Sequence, residues 1–402
     1  MARTTSNSNR TAINDNGYTP ARRVRRQNAQ VPAPASSNAS NSGDTNPVDL
    51  ADDIPEFKKL QQDFEVFIEV LTTPEAFLHS LKTKYNDISA IYLTFSIFKI
   101  GGLNPFIDYL PSTLKIVAIS WVGHNAIDGA KLRDRGIILT NIGDASAKDV
   151  ADIALFLSIS VFRNTSYLEH SLRSNNGDIT QAREVLGGES IDPVTKEPLP
   201  PTDPYRKNLA KFLTIGGKEL NSPFGKTVGI VGLGGIGKEI AKRLNVIGLK
   251  IKYTKRKPLT EIEQEELGFP TEFVSNFNEL LPQIDLLVLA VPQSPETTHL
   301  INEETIKLVK PGLRIVNIGR GAAIDEDVLL KALDDGIVNS VGLDVFKNEP
   351  HIDPRFVNRW DVTILPHMGS FTVDNFRISN ATLIKNIENV LLQGGEGLFP
   401  VN

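Results

Sequence analysis

Residues 226–245 read KTVGIVGLGGIGKEIAKRLN, and this stretch decides the fold. The apolar run 228–231 is typical of a buried parallel strand, and apolar residues at helical spacing follow it. Between them lie Gly232, Gly234 and Gly237 of a G-x-G-x-x-G motif. The first glycine permits a tight turn, the second lets the backbone approach a pyrophosphate, and the third lets the helix pack on the strand. The free N–H groups of the helix N-terminus suit phosphates. The stretch therefore predicts dinucleotide binding.

The bulk composition excludes several other classes of protein. The chain has 402 residues, a formal net charge of −5 and no cysteine. This length allows two domains and a tail, and the acidic balance gives no reason to expect nucleic acid or an anionic membrane as partner. Without cysteine there is no disulfide framework or thiolate nucleophile, and no run is apolar enough for a bilayer. We expect a cytoplasmic protein without a metal site.

The first 51 residues are rich in Ser, Asn, Thr and Pro and are predicted to be disordered. Their basic group, Arg22, Arg23, Arg25 and Arg26, fits a solvated tail. A mitochondrial targeting segment is the alternative, because this stretch is Arg-rich and acid-poor.

On both sides of the glycine motif, strand-like runs alternate with helical patterns, which indicates an α/β fold with parallel sheets. Strands are predicted at 88–95, 114–120, 137–140, 250–253, 284–291, 313–318, 340–343 and 362–365. A capping box of Thr72 and Glu75 predicts the start of a first helix. Further helices are predicted at 146–162, 236–247, 276–281, 302–309, 325–335 and 371–392. We expect two doubly wound, Rossmann-like domains: a substrate domain of 52–163 and 368–402, and a dinucleotide-binding domain of 205–367. Residues 164–204 are predicted to be a linker, and the long connection 164–225 to carry a surface insertion at 187–206, with a functional lid as the alternative.

The residues after the strand at 250–253 indicate which dinucleotide binds. An NAD site normally places Asp or Glu about 20 residues past the glycines, to hold the ribose 2′-hydroxyl. This chain has Thr254, Lys255 and Arg256 there, and a hydroxyl with cations suits a 2′-phosphate. NADPH is therefore the preferred prediction, with NAD possible and a solvated basic turn as the alternative.

Three other strand ends carry the residues of a hydride-transfer site. Arg320 between two glycines can hold a carboxylate and polarise a carbonyl. His367 supplies an imidazole, the side chain that exchanges protons near neutral pH, and Glu349 is a carboxylate that could orient it. The set suits reduction of a 2-keto acid. His351 is the nearest rival to His367, but it lies on a turn.

The segments VGIVGLGGIGKEIAKRL, LRIVNIGRGAAIDEDVLLKAL, VGLDVFKNEP and ILPHMGS resemble the D-isomer-specific 2-hydroxyacid dehydrogenases, and within them the glyoxylate/hydroxypyruvate reductase branch. YTKRKP looks like the NADP-preferring members. The resemblance spans about 55–402. It implies that His367 is the acid/base, Glu349 its orienting partner and Arg320 the substrate clamp. It also implies a flavodoxin-like substrate domain, a cleft that closes by hinge motion, and a homodimer.

The resemblance adds further binding residues. Val122 and Gly123 would offer backbone N–H groups to the substrate carboxylate, and Asp344 would bond the nicotinamide amide. The other predicted cofactor-binding residues are Gly235, Ile236, Pro292, Ile318, Gly319, Gly369 and Ser370.

The sequence thus predicts NADPH-dependent reduction of a small 2-keto acid of the glyoxylate or hydroxypyruvate type. A dinucleotide-sensing binding protein, like the transcriptional corepressors of this fold, is the alternative. Trp121 and His124 are bulky at the substrate mouth, and Leu93 and Thr94 stand where family members often have arginine. These departures leave the substrate open.

Overall fold

A computed structural model describes residues 50–203, 205, 207 and 213–402. The predicted disordered tail, including its basic group, lies outside the described residues except for Leu50 and Ala51. Ala51 is buried against Ile54 and Phe57, so the packed part of the chain has already begun there.

The chain alternates between helices and strands along most of the described length. The helices are α1 (Pro55–Asp63), α2 (Pro74–Thr83), α3 (Gly129–Asp134), α4 (Ala147–Arg163), α5 (Thr165–Ser174), α6 (Ile179–Ala182), α7 (Gly235–Val246), α8 (Glu261–Leu267), α9 (Phe277–Leu280), α10 (Glu326–Asp334), α11 (Pro354–Val357) and α12 (Val373–Gln393). The strands are β1 (Ala90–Leu93), β2 (Ile116–Ile119), β3 (Ile138–Thr140), β4 (Thr214–Ile215), β5 (Lys218–Glu219), β6 (Thr227–Val231), β7 (Lys250–Thr254), β8 (Thr271–Phe273), β9 (Leu286–Leu289), β10 (Leu313–Asn317), β11 (Val338–Leu343) and β12 (Val362–Ile364).

Seven parallel strands form the large sheet, in the order β12-β11-β10-β9-β6-β7-β8. The order reverses between β6 and β9, and such a switch point is where doubly wound sheets bind dinucleotides. Strand β9 is apolar throughout because both of its faces are buried. Leu286 and Val288 pack in a core with α4 and α7, whereas Leu287 and Leu289 pack in a second core with α9 and α10. Both faces are covered, as in parallel sheets generally. The predicted α/β class is confirmed.

The long helix α4 packs on the large sheet. Val150, Leu157 and Val161 lie in the same core as α7. Arg314 of β10 fastens the end of this helix by donating to the carbonyl oxygen of Val161 at 2.9 Å. Burial lowers the pKa of Arg314 to about 10, with nearby carboxylates opposing the shift. The guanidinium is nevertheless satisfied, since it also donates to backbone and side-chain oxygens of residues 219 and 221.

The small sheet consists of three parallel strands in the order β1-β2-β3. Helix α12 returns to it, as expected, and buries Leu383, Ile384 and Ile387 against Ile116 and Ala118 of β2. The predicted domain boundaries remain predictions.

The connection 164–225 carries more structure than the sequence predicts. It forms α5, α6 and the antiparallel hairpin β4-β5, and Val185 and Ile215 pack with Trp360 in a core of their own. Turn signals in this stretch concealed short elements that are stabilised by packing rather than by local pattern.

A buried ion pair holds this hairpin to the large sheet. Lys218 Nζ lies 2.6 Å from Asp361 Oδ2, and these side chains are 11% and 1% exposed. Burial alone would raise the pKa of Asp361, but hydrogen bonds from Arg359 and the charge of Lys218 outweigh it and lower the pKa. At Lys218, burial dominates and lowers the pKa of the ammonium despite its partner. Two cations face one carboxylate, so we take Asp361 to be ionised.

Other secondary-structure elements also differ from the predictions. Helix α2 is capped by Thr73, whose oxygen accepts from Ala76 N at 3.1 Å, rather than by Thr72, because Pro74 takes the first helical position. The stretch 302–309 forms only a 3-10 turn at Thr305–Leu308. The polar helix α8 and the three-residue strand β8 were not predicted, since neither shows a clear apolar period.

Candidate active site

The glycine motif lies where β6 turns into α7. Gly232 has a φ of +91°, and a side chain there would meet the carbonyl oxygen of Ala290 at 2.6 Å. A Cβ at Gly237 would overlap the carbonyl oxygen of Gly232, so the third glycine does permit close packing. A Cβ at Gly234 would meet no atom within 4 Å, and no side chain caps α7. Open space in front of an uncapped helix N-terminus fits a dinucleotide pyrophosphate.

An acidic side chain that the sequence did not single out borders this N-terminus. A Cβ at Gly235 would overlap the carboxylate of Asp144, which lies in the loop after β3. Ile236, the other predicted pyrophosphate residue, packs at the edge of the core formed by α4 and α7. The loop after β3 therefore brings a negative charge to the edge of the phosphate site.

The predicted 2′-phosphate residues follow β7. Thr254 is buried, Lys255 is half-buried and Arg256 is exposed. Among the described residues, neither cation lies within 4 Å of a carboxylate. Their charges act at longer range. A hydrogen bond from Lys238 is the main cause that lowers the pKa of Glu263 to about 2, and Lys255 adds a smaller contribution.

Close backbone packing shapes the Arg320 turn after β10. A Cβ at Gly319 would lie 2.7 Å from the carbonyl oxygen of Val291, and one at Gly321 would overlap the backbone of Phe346. Asn317, which is 1% exposed, donates to the carbonyl oxygen of Arg320 at 2.9 Å and accepts from Gly319 N at 3.1 Å. Sequence reasoning missed Asn317, although a polar residue that ends an apolar strand is a usable signal.

Arg320 reaches the small sheet. Its guanidinium rests on Gly123, where a Cβ would lie 2.8 Å from the guanidinium carbon and closer still to Nη2. Asn141 holds this loop by donating to the carbonyl oxygen of Val122 at 2.8 Å. Burial lowers the pKa of Arg320, and the charge of Glu349 opposes the shift. The predicted clamp and the predicted substrate loop therefore meet, and only glycine at position 123 leaves room for them.

His367 and Glu349 form the second predicted pair. His367 Nδ1 lies 2.8 Å from Glu349 Oε2, while Glu349 Oε1 accepts from Phe346 N at 2.9 Å. The backbone contact fixes the carboxylate, and the carboxylate then orients the ring. The imidazole is about half exposed, so Nε2 remains available to a ligand. Among the described residues, the histidine that contacts the Glu349 side chain is His367 rather than His351.

Asp344 holds the backbone around His367. It is 2% exposed, and its two oxygens accept from Met368 N and Gly369 N at 2.8 Å each. Burial raises the pKa of this carboxyl, and the two N–H donors oppose the shift. His367 itself has a φ of +55°, a conformation that needs such support. The predicted bond from Asp344 to a nicotinamide amide stays a prediction.

Other predicted cofactor residues lie at the same carboxyl edge. Ile318 follows β10 and donates its N–H to Leu289 O, and Pro292 follows β9. Ser370 accepts from Asn375 at the start of α12. Asn125, after β2, donates to the carbonyl oxygen of Gln293 at 3.0 Å and so bridges the loops of the two sheets.

Four aromatic side chains, here called the aromatic rim, surround the start of the substrate loop. They are Phe95, Phe98, Trp121 and Phe371. Of these four residues, only Trp121 was noted from the sequence, as a bulky residue at the substrate mouth. Phe95 and Phe98 share the 3-10 turn Phe95–Ile100, but Trp121 and Phe371 lie on two other segments, so no single spacing pattern relates the four.

A cavity of about 500 Å³ lies at the opposite edge of the large sheet. Its lining includes Lys218, Lys226, Asp285, Lys310, Arg314 and Asn339. These residues belong to the amino ends of the strands or to the hairpin β4-β5. The cavity is therefore separate from the predicted catalytic residues.

Metal binding and membrane insertion are two other functions that the described residues bear on. No group of three or more His, Asp or Glu side chains in residues 50–203 and 213–402 could hold a metal ion. No helix in the part of the chain that the structure describes is long and apolar enough to cross a membrane.

A doubly wound sheet with a glycine-rich turn at its switch point, and with cation, carboxylate and imidazole at the same edge, defines a nicotinamide-dinucleotide oxidoreductase. Comparison with known proteins agrees. Residues 212–369 match the family model for the NAD binding domain of the D-isomer specific 2-hydroxyacid dehydrogenases. The chain is 36% identical over 374 residues to YPL113C of Saccharomyces cerevisiae, which carries a provisional name as a 2-hydroxyacid dehydrogenase, and 88% of this chain and 93% of the relative are covered.

Solved structures extend the comparison. The holo form of D-mandelate dehydrogenase from Rhodotorula graminis has a TM-score of 0.73 and 31% identity, covering 89% of this chain and 95% of that one. The NADPH-dependent glyoxylate/hydroxypyruvate reductase of Sinorhizobium meliloti, in complex with NADP and malonate, has a TM-score of 0.62 and 27% identity, covering 81% and 87%. The chain belongs to the D-isomer-specific 2-hydroxyacid dehydrogenase family, and the resemblance read from the sequence is confirmed.

Proposed function

We propose that this chain reduces a 2-keto acid to the D-2-hydroxy acid, with NADPH as the preferred reductant and glyoxylate or hydroxypyruvate among its substrates. The observation that carries the proposal is the 2.8 Å contact of His367 Nδ1 with Glu349 Oε2, beside an arginine that rests on Gly123.

Arg320 is the substrate clamp in this proposal. A guanidinium remains cationic at neutral pH and offers two parallel donors to a carboxylate. Since it is largely buried on Gly123, its attraction for an anion is screened less than at an exposed site. The backbone N–H groups of Val122 and Gly123 are the further donors to the carboxylate in this proposal. A 2-keto acid bound there presents its carbonyl to the same edge of the large sheet.

His367 is the proton donor. The bound dinucleotide supplies a hydride to the carbonyl carbon, and the carbonyl oxygen must then gain a proton. With Nδ1 on Glu349, the imidazolium has its Nε2–H free to give. Glu349 stabilises the charged ring and fixes its orientation. After transfer, the neutral ring keeps its Nδ1–H bond to the carboxylate.

NADPH preference rests on Lys255 and Arg256. Lys255 is partly buried and Arg256 is exposed, and neither is held by a close carboxylate partner among the described residues. Two uncommitted cations after β7 suit a 2′-phosphate. The similar reductase of Sinorhizobium meliloti was solved with NADP, which supports this choice.

The test of the reaction is NADPH oxidation by the full chain with glyoxylate and hydroxypyruvate, followed by chiral analysis of the product. His367→Gln and Glu349→Gln should each lower kcat by about 10² to 10⁴-fold, the usual contribution of acid–base catalysis, with NADPH affinity unchanged. His351→Gln is the matched control and should keep full turnover. NADPH binding without turnover by the wild-type chain would instead indicate a dinucleotide-sensing binding protein.

The cofactor preference has its own test. Lys255→Ala combined with Arg256→Ala should lower kcat/KM for NADPH by about 10 to 100-fold, because charge-assisted hydrogen bonds to phosphate are lost. The value for NADH should change far less. Lys242→Ala, which removes an exposed cation on α7, is the control. Equal losses with the two cofactors would reject the 2′-phosphate assignment.

A further inference from the structure

We propose that the aromatic rim binds the side chain of the substrate, and that the preferred substrates are 2-keto acids with an aromatic side chain rather than glyoxylate. The inference rests on the proposed function and assigns the substrate class of the same site.

The rim is a stack built around one buried ring. Trp121 is 8% exposed, and Phe95 stacks on it with ring centroids 4.8 Å apart and planes at 27°. Phe98 lies 5.4 Å from the same indole. Phe371 continues the stack from Phe95 at 6.2 Å and 30°. The four rings come from three separate segments, so the tertiary fold creates this apolar surface.

Three of the four rings are partly exposed to solvent. Phe95 and Phe98 are each 44% exposed and Phe371 is 58% exposed, and Met368 beside them is 39% exposed. Scattered exposed apolar side chains are ordinary, but a contiguous stacked group is a common sign of a binding surface. Planar aromatic faces such as these also favour offset stacking with another ring.

The rim adjoins the catalytic groups along the chain. Trp121 directly precedes the 122–123 loop that seats Arg320, and Phe371 follows His367 by four residues. Two of its rings are therefore carried by the same two segments that seat the clamp and hold the proton donor.

The groups on the reacting carbon of the substrate determine which of them can contact the rim. A 2-keto acid has three groups on its reacting carbon. The carboxylate is committed to Arg320 and the oxygen to His367, so the third group takes the remaining direction. An apolar third group that contacts the rim is removed from water, whereas the hydrogen atom of glyoxylate gains nothing there.

The experiment compares phenylpyruvate with glyoxylate as substrates of the full chain, with saturating NADPH. We expect wild-type kcat/KM to be at least tenfold higher for phenylpyruvate. Phe95→Ala and Phe371→Ala should each reduce kcat/KM for phenylpyruvate by at least fivefold more than for glyoxylate, mainly through KM. Trp121 is left intact because its burial makes a folding defect the expected result. Phe67→Ala is the matched control, since Phe67 is 47% exposed but lies outside the rim.

The outcomes separate the two proposals. Glyoxylate turnover without a preference for phenylpyruvate overturns the rim assignment alone. Equal losses for both substrates in the rim variants overturn it as well, and a simultaneous change of oligomeric state by light scattering would assign the rim to contact with a second copy. Absence of turnover with both substrates overturns the proposed function and, with it, this inference.

Discussion

The contact between Arg320 and Gly123 gives the sharpest prediction. In Gly123→Ala, the new Cβ would lie 2.8 Å from the guanidinium carbon, whereas unstrained contacts between such atoms are about 3.5–4.0 Å. The guanidinium must therefore move by roughly 1 Å or more. A misplacement of about 1 Å at a positioned catalytic group can cost about 10²-fold in rate. We expect kcat/KM for glyoxylate to fall by at least that factor.

The assay is steady-state reduction of glyoxylate, with NADPH affinity and thermal stability measured alongside. Both should stay close to wild type, because Gly123 does not need a positive φ and lies away from the glycine-rich turn. Gly129→Ala is the matched control. Its Cβ would meet only side-chain atoms, at 3.2 and 3.6 Å, and activity should change less than about twofold. Wild-type activity in Gly123→Ala would refute the idea that Arg320 acts from its seat on this loop.

Three further substitutions test other parts of the description. Asp144→Asn should tighten NADPH binding about fivefold, since removing one charge near the pyrophosphate is worth on the order of 1 kcal/mol, and an unchanged Kd in a fluorescence titration would contradict this. Asp344→Asn replaces an acceptor with a donor opposite a backbone N–H, so we expect the His367 segment to shift and kcat to fall by about 10²-fold at unchanged melting temperature. Asp361→Asn leaves the buried ammonium of Lys218 unpaired and should lower the free energy of unfolding by about 3 kcal/mol at pH 7, measured by urea denaturation. Because the pKa of Asp361 is lowered in the folded chain, its contribution is present above about pH 4 and is lost as pH falls further, so the gap between wild type and variant should close in acid.

Much of the large sheet could be predicted from the sequence. Its strands are buried on both faces and read as continuous apolar runs, of which β9 is the clearest. The contact between Glu349 and His367 follows from the same topology, because parallel strands bring their carboxyl ends to one edge. The turn around Arg320 leaves no room for a side chain at Gly319 or Gly321, and the glycines at these positions can be seen in the sequence.

The remaining features depend on neighbours that the sequence does not reveal. Asn317 and Asn141 brace the site through hydrogen bonds to backbone atoms, and an asparagine at a strand end has many other uses. Asp144 approaches α7 only because the loops of the two sheets meet. Phe95 and Phe371 are 276 positions apart and stack through tertiary contact alone. Local patterns predict elements well, but they cannot assign partners across the fold.

The location of the aromatic rim has a consequence for how such an enzyme diversifies. Three of its rings, Phe95, Phe98 and Trp121, follow strands of the small sheet, whereas the groups that handle protons and anions follow strands of the large one. In the proposed assignment, substrate preference and redox chemistry thus depend on different stretches of the chain. On that assignment, we expect a few loop substitutions to change substrate preference and leave the proton-transfer groups unchanged, so these loops are where engineering for other 2-keto acids would begin.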